Sequence, residues 1–159
     1  MGLTFLLDKS GSMHPQSDDA IGSFNAFVKA QPAETRLSLY TFSHDLHCVF
    51  KDTDVAEIKP ITADDYRPGG GTALYDAIGA ILAEMSEGKL VILTDGQENS
   101  SRKYTNNHIK DLIRLSKVEV VYAGADLEDA RELGISTRLY YDGTGTPDVM
   151  RSLETLSQA

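Results

Sequence analysis

The sequence has very little cysteine, no cluster of basic residues and no long apolar stretch. Its single cysteine, Cys48, excludes an internal disulfide and fits a reducing compartment. The formal charge is −9, from 24 acidic and 15 basic residues, which argues against binding to nucleic acid or to an anionic membrane surface. No apolar stretch approaches the ~20 residues of a membrane-spanning helix, and no signal peptide is recognisable. We therefore expect a cytoplasmic protein with one domain over residues 1–159.

Apolar runs alternate with amphipathic segments along the whole chain, a pattern typical of an α/β protein with a doubly wound parallel sheet. Residues 43–45 are the only connection between the second and third predicted strands, and so short a link requires an antiparallel hairpin at one edge. The predicted strands are residues 3–7, 36–42, 46–50, 90–93, 118–122 and 137–141. The predicted helices are residues 17–30, 73–85, 105–116 and 126–133, with a final helix beginning at Thr146.

Oxygen-bearing side chains stand where the first and fourth predicted strands end. Asp8, Ser10 and Ser12 follow the first strand at alternate positions, and Asp95 follows the fourth. Three glycines lead to Thr72, which we expect to cap the next helix. If the two strands are neighbours where the strand order reverses, all five side chains meet at one crevice. Two carboxylates and three hydroxyls suit Mg²⁺, with Mn²⁺ or Ca²⁺ as alternatives, better than zinc.

Three segments together resemble the metal-ion-dependent adhesion site (MIDAS) of the von Willebrand factor type A (vWA) domain family. They are Asp8-x-Ser10-x-Ser12, Gly70-Gly71-Thr72 and Leu93-Thr94-Asp95-Gly96, and the resemblance covers nearly the whole chain. It implies a three-layer, Rossmann-like α/β fold, in which helices cover both faces of a six-stranded sheet with one antiparallel edge strand. We predict the strand order 3-2-1-4-5-6.

The resemblance also implies how the ion is held and what it does. The hydroxyls of Ser10, Ser12 and Thr72 would contact the ion, and Asp8 and Asp95 would hold it directly or through water. A Glu or Asp of a partner protein would complete the coordination. The predicted function is therefore a metal-dependent protein-binding module without enzymatic activity. The sequence does not name the partner; a chaperone-type ATPase, a larger assembly and a bacterial or phage system are candidates.

Polar loop residues next to the predicted ion are expected to form a rim that selects the partner, because loops on a rigid scaffold commonly carry function. The predicted rim residues are Tyr66, Arg67, Gln97, Glu98 and Asn99.

Other functions are weaker interpretations of the same residues. An aspartyl-phosphate phosphatase would also place an aspartate after the first strand, but Ser10 stands where such enzymes have a second aspartate. His47 and Cys48 are adjacent on a predicted strand and point to opposite faces, which disfavours a shared zinc ion. We expect Cys48 to pack beside Leu46 and Phe50 on the buried face. The glycine run lacks the spacing of a dinucleotide-binding loop.

Overall fold

The computed structural model describes residues 2–11, 17–94, 98–124, 127–135 and 137–140. Strands and helices alternate as the apolar pattern predicts. The strands are β1 (Gly2–Asp8), β2 (Arg36–Phe42), β3 (Leu46–Asp54), β4 (Glu87–Leu93), β5 (Lys117–Gly124) and β6 (Thr137–Tyr140). The helices are α1 (Ser17–Ala30), α2 (Leu74–Glu84), α3 (Asn106–Leu115) and α4 (Glu128–Glu132), and Val55–Glu57 form a 3-10 turn.

The six strands form one sheet in the order β3-β2-β1-β4-β5-β6, which confirms the predicted order. β3 pairs antiparallel with β2, and the other pairs are parallel. The strand order reverses at β1, which lies at the centre of the sheet with β2 on one side and β4 on the other. The carboxyl ends of these central strands therefore border the crevice where ligands of such folds bind.

Helices cover both faces of the sheet, so the central strands are buried on two sides. On one face Phe5 makes edge-to-face contacts with Phe24 and Phe27 of α1, at ring-centroid distances of 5.3 and 5.4 Å. On the other face Ile92 and Ile78 belong to a second cluster that includes residues of β5, α2 and α3. Two packed layers hold β1 in place, and β1 carries the first predicted ligand.

Several local predictions are wrong. Cys48 is exposed, because β3 is an edge strand whose pairing with β2 is irregular near Tyr40. β4 begins at Glu87 rather than at residue 90, and α2 covers Leu74–Glu84 rather than residues 73–85. β3 continues to Asp54, beyond its predicted end at residue 50.

Three predicted segments fall wholly or partly outside the described residues. The final helix from Thr146, the end of the last strand at Tyr141 and the first residue of the helix predicted over 126–133 lie there. Among the residues that are described, no helix is both long and apolar enough to cross a membrane.

Candidate metal centre at the carboxyl ends of the central strands

Asp8 ends β1 and is completely buried. Its Oδ1 accepts a hydrogen bond from the backbone N–H of Ser10 at 2.7 Å, which folds the chain into a tight turn after the strand. Its Oδ2 accepts a hydrogen bond from the Thr94 hydroxyl at 2.5 Å. Because both oxygens have donors, the carboxylate is held in one orientation at the crevice.

The turn after β1 is joined directly to the glycine loop. The backbone N–H of Gly11 donates to the carbonyl of Gly70 at 3.0 Å, and the N–H of Gly69 donates to the carbonyl of Lys9 at 2.8 Å. Gly70 has a φ of +81°, and a Cβ there would lie 2.5 Å from Nδ1 of His44. A residue with a side chain rarely adopts such a φ, so the preference for glycine follows from the backbone conformation of this loop.

Thr72 follows this loop and is 3% exposed, while Ser10 is 2% exposed. The structure therefore brings the segments of three predicted ligands, Asp8, Ser10 and Thr72, to the same edge of the sheet. Thr72 does not cap α2 as expected: the capping position is Ala73, and no side chain there closes the helix. Its hydroxyl is thus not used as a helix cap.

The other two predicted ligands, Ser12 and Asp95, lie outside the described residues. The residues that precede them, Gly11 and Thr94, are described. Asp95 directly follows Thr94, which is buried beside Asp8 and donates its N–H to the carbonyl of Ala123 at 3.0 Å. The sequence analysis quoted Thr94 within the motif but gave it no role; the structure shows that its hydroxyl donates to the Asp8 carboxylate. The signal in the sequence is a hydroxyl directly before the aspartate at the end of a buried strand.

The oxygen atoms of the side chains at this edge are ligands that suit a hard cation. A carboxylate and hydroxyls suit Mg²⁺, Mn²⁺ or Ca²⁺. Across the described part of the chain, no three His, Cys, Asp or Glu side chains come together as a potential metal site. The residues present therefore fit a divalent cation held mainly by oxygens of the three loops.

The predicted rim is only partly a rim. Arg67 and Asn99 are exposed, and Arg67 pairs with Asp64 at 2.7 Å. Tyr66 is 1% exposed, so its assignment to the rim is wrong. Its hydroxyl donates to the backbone carbonyl of Asp8 and supports the site from the core of the protein. Gln97 lies outside the described residues.

Glu98 and Asn99 fasten the loop after Asp95 to the start of α2. Glu98 Oε1 accepts a hydrogen bond from the N–H of Tyr75 at 3.1 Å, and its Oε2 accepts one from the N–H of Ser101 at 3.0 Å. Asn99 Oδ1 accepts from the N–H of Thr72 at 2.8 Å. The sequence analysis placed both residues at the partner surface. It did not predict that they link the loop after Asp95 to the glycine loop and the start of α2.

Comparisons with known proteins agree with this architecture. The family model for the von Willebrand factor type A domain matches residues 3–98. No curated protein sequence matches the chain. Among solved structures, proximal thread matrix protein 1 (PTMP1) from the mussel byssus is 18% identical, with a TM-score of 0.75 over 98% of this chain and 45% of that one. A second PTMP1 structure, with a zinc-occupied MIDAS motif, has a TM-score of 0.73 and the same identity and coverage.

Two further structures show the same fold. The ArnB paralog VWA2 from Sulfolobus acidocaldarius is 18% identical, with a TM-score of 0.71 over 97% of this chain and 44% of that chain. BatB from Bacteroides thetaiotaomicron is 14% identical, with a TM-score of 0.66 over 100% of both chains. This chain spans less than half the length of PTMP1 and of VWA2. The family match covers more than half of the chain, and the chain belongs to the von Willebrand factor type A domain family.

Proposed function

We propose that this chain is a metal-dependent protein-binding module. A divalent cation is bound at the carboxyl ends of the central strands by Asp8, Ser10, Ser12, Thr72 and Asp95. A carboxylate of a partner protein completes the coordination and so couples the two proteins. Membership of the family and the oxygen donors at this edge both support the proposal.

The observation that carries the proposal is the pair of hydrogen bonds that joins the two ligand loops. Gly11 donates to Gly70 and Gly69 donates to Lys9, beside the buried carboxylate of Asp8. An anionic side chain is rarely buried without a cation or several donors near it. Two loops that are far apart in the sequence are held together beside the Asp8 carboxylate. A dication would neutralise the negative charge of this carboxylate.

The bound ion is proposed to be Mg²⁺, because hydroxyl and carboxylate oxygens are its usual ligands and it readily keeps water in part of its shell. Mn²⁺ and Ca²⁺ stay as alternatives. Zinc should be included in titrations of metal binding, because a PTMP1 structure has a zinc-occupied MIDAS motif. Zinc also generally binds more tightly than magnesium.

We propose a binding role rather than a catalytic one. Both carboxylate oxygens of Asp8 accept hydrogen bonds within the protein, which leaves this group poorly placed to attack a phosphate. An assay with an aryl phosphate tests the phosphatase alternative, which predicts turnover that the Asp8→Asn substitution abolishes. A cytoplasmic location and the absence of nucleic-acid and membrane binding stay predictions from the composition.

Metal-dependent thermal stabilisation tests the proposal directly. Mg²⁺ or Mn²⁺ added after chelation should raise the melting temperature, because an ion that binds only the folded chain stabilises it by mass action. Thr72→Val, which removes the proposed ligand hydroxyl and keeps the shape, should abolish most of this rise. Thr4→Val removes another buried hydroxyl in the middle of β1 and is the matched control.

The proposal requires the two variants to differ. If Thr72→Val keeps the full metal-induced rise, or if Thr4→Val loses it equally, the ligand assignment is wrong. An unchanged melting temperature of the native chain with every divalent ion tested would contradict metal binding altogether.

A further inference from the structure

A cavity of about 860 Å³ lies next to the proposed metal centre. One wall is α2, another is the turn between β2 and β3, and the third is the loop of residues 99–104. Ala73, at the capping position of α2, and Ala77 and Ala80 within the helix line it with small side chains. A volume of this size is in the range of ligand-binding clefts, so the cavity can take a short segment of a partner chain.

The cavity starts one residue from a proposed metal ligand. Ala73 directly follows Thr72, and Asn99, another lining residue, accepts the hydrogen bond from the Thr72 N–H. The N–H of Ala73 also donates to the carbonyl of Ser43 at 2.7 Å, which ties the β2–β3 turn to the same point. A partner chain that places a carboxylate on the ion is therefore directed past the mouth of this cavity.

Two cations line the cavity without an anionic partner among the described residues. Arg102 and Lys103 are exposed, and neither takes part in an ion pair there. Asp76, one acid of the lining, uses its oxygens to accept the backbone N–H groups of residues 102, 103 and 104 at 2.8, 2.9 and 2.9 Å. The remaining acid of the lining, Asp45, lies 3.4 Å from Nε2 of His44.

This local charge contrasts with that of the whole chain. The net charge is −9, whereas the cavity lining carries two basic side chains, Arg102 and Lys103, and two acidic ones, Asp45 and Asp76. An acidic partner would be repelled by most of the surface, and Arg102 and Lys103 are the positive groups that would position and orient it at this place.

We propose that this cavity is a second subsite for the same partner and takes an acidic segment of it. One carboxylate of the partner binds the ion, and a second, a few residues away, pairs with Arg102 and Lys103. The aliphatic part of the segment packs on Ala77 and Ala80. The proposal rests on the proposed function and adds the chemistry of the partner: a protein segment with two acidic residues.

Selection from a random dodecapeptide library displayed on phage tests the proposal. The selection is made with Mg²⁺ present, and bound phage are released with a chelator. The selected peptides should carry one acidic residue that the metal requires and a second at a fixed separation from it. Fluorescence anisotropy with the most enriched peptide then gives affinities for the native chain and its variants.

Charge reversal at the cavity should weaken this peptide selectively. The double variant Arg102→Glu, Lys103→Glu should bind it about tenfold or more weakly, since two exposed ion pairs are lost and the reversal adds repulsion. Lys29→Glu is the control for a charge reversal away from the cavity: Lys29 is exposed, has no ion pair among the described residues and lies in the last turn of α1. It should bind the peptide as the native chain does.

Filling the cavity provides an independent variant. Ala80→Leu places a larger side chain in the lining, whereas Ala83→Leu changes an exposed alanine of α2 that is not part of it. Ala80→Leu should weaken the peptide several-fold, and Ala83→Leu should not. Both should keep the metal-induced rise in melting temperature, which shows that the metal centre is intact.

The outcomes separate the two proposals. Metal-dependent peptides with one acidic residue, bound equally by the native chain and both cavity variants, would overturn the subsite and leave the proposed function standing. Selected peptides with an apolar rather than acidic second position would also overturn it. A chain that binds metal but enriches no peptide in a metal-dependent way would overturn both.

Discussion

Tyr66 connects the core of the domain to the proposed metal loop. Its ring is buried among the residues that pack on α1, and its hydroxyl donates to the carbonyl of Asp8, the last residue of β1. The contact spans 58 positions in sequence. A single side chain thus fixes the point where the strand ends and the ligand turn begins.

Removal of this hydroxyl should affect both stability and metal binding. Tyr66→Phe leaves the Asp8 carbonyl with one donor fewer in a buried place, which should cost about 1–2 kcal/mol of unfolding free energy in urea titrations. It should also weaken Mg²⁺ binding, because the turn loses its support. Tyr75→Phe is the control, since the Tyr75 hydroxyl is only partly buried in its contact with Asn106. Equal losses in the two variants would contradict a special role for Tyr66.

Tyr40 should make stability depend on alkaline pH. Burial, followed by the nearby Cys48 and Glu84, raises the pKa of Tyr40 from 10.0 to about 12. Its hydroxyl donates to Glu84 Oε2 at 3.3 Å. The folded chain therefore keeps this proton between pH 10 and 12 while the unfolded chain loses it, so the contribution is complete below pH 10 and declines as the pH rises to 12.

Urea unfolding of the native chain and of Tyr40→Phe at pH 8 to 12 measures this effect. The native chain should lose more stability than the variant between pH 10 and 12, because the variant has no proton to lose at this position. Parallel pH profiles of the two proteins would show that Tyr40 ionises as in the unfolded chain.

At the level of elements, the start of α2 is where two loops are tied together. Asp76 in the first turn of α2 accepts three backbone N–H groups from the loop after Asp95, and Glu98 of that loop accepts the N–H of Tyr75 in return. Each segment thereby supplies acceptors for backbone donors of the other. The arrangement fixes the wall of the cavity against α2.

Asp76→Asn should loosen this junction. The amide has one acceptor oxygen and places an NH₂ group against backbone donors, so we expect a loss of about 1–3 kcal/mol in unfolding free energy. Asp111→Asn removes only an exposed ion pair with Arg114 on α3 and should cost less than about 1 kcal/mol. Hydrogen exchange should also become faster at residues 102–104. Unchanged exchange there would contradict the role of Asp76.

The end of β5 supports the segment that leads to Asp95. A Cβ at Gly124 would lie 2.1 Å from the carbonyl oxygen of Thr94, which is backbone and cannot easily move. Gly124→Ala should therefore destabilise the fold and weaken metal binding, since Thr94 also orients Asp8.

Gly22→Ala is the matched comparison for this substitution. Gly22 lies within α1, and a Cβ there would meet nothing within 4 Å. Alanine should stabilise the helix by about 0.5–1 kcal/mol. If thermal or urea unfolding shows both alanine variants to be equally stable, the close approach of β5 to Thr94 is not important.

For the molecule as a whole, the sequence predicted the architecture better than the details. Alternation of apolar runs and helical segments gave the element order, and the short link after Phe42 gave the antiparallel edge strand. The strand order brought Asp8 and Thr94 together, as the strand-end positions of the ligands required. The element order and the edge strand follow from periodicity and chain connectivity, which can be read from a single sequence. The order of the strands was predicted with the resemblance to the vWA family.

The roles of individual loop residues were less predictable. Tyr66 and Glu98 are polar residues in connecting segments, and such residues usually face solvent. Here each makes a contact far along the chain, Tyr66 with Asp8 and Glu98 with Tyr75. Whether a loop side chain turns inward depends on hydrogen bonds to backbone groups that are distant in the sequence. A local sequence pattern does not identify these groups. The exposure of Cys48 similarly depends on the irregular pairing of β2 and β3.

A crystal structure of the chain with Mn²⁺ tests the central claim most directly. Anomalous scattering locates the ion independently of the protein model. We predict one strong peak at the carboxyl ends of β1 and β4, within about 2.0–2.3 Å of the Ser10 and Thr72 hydroxyl oxygens. A neighbouring molecule or buffer carboxylate could occupy the remaining position. A bound ion elsewhere on the protein, with none at this edge, would contradict the account.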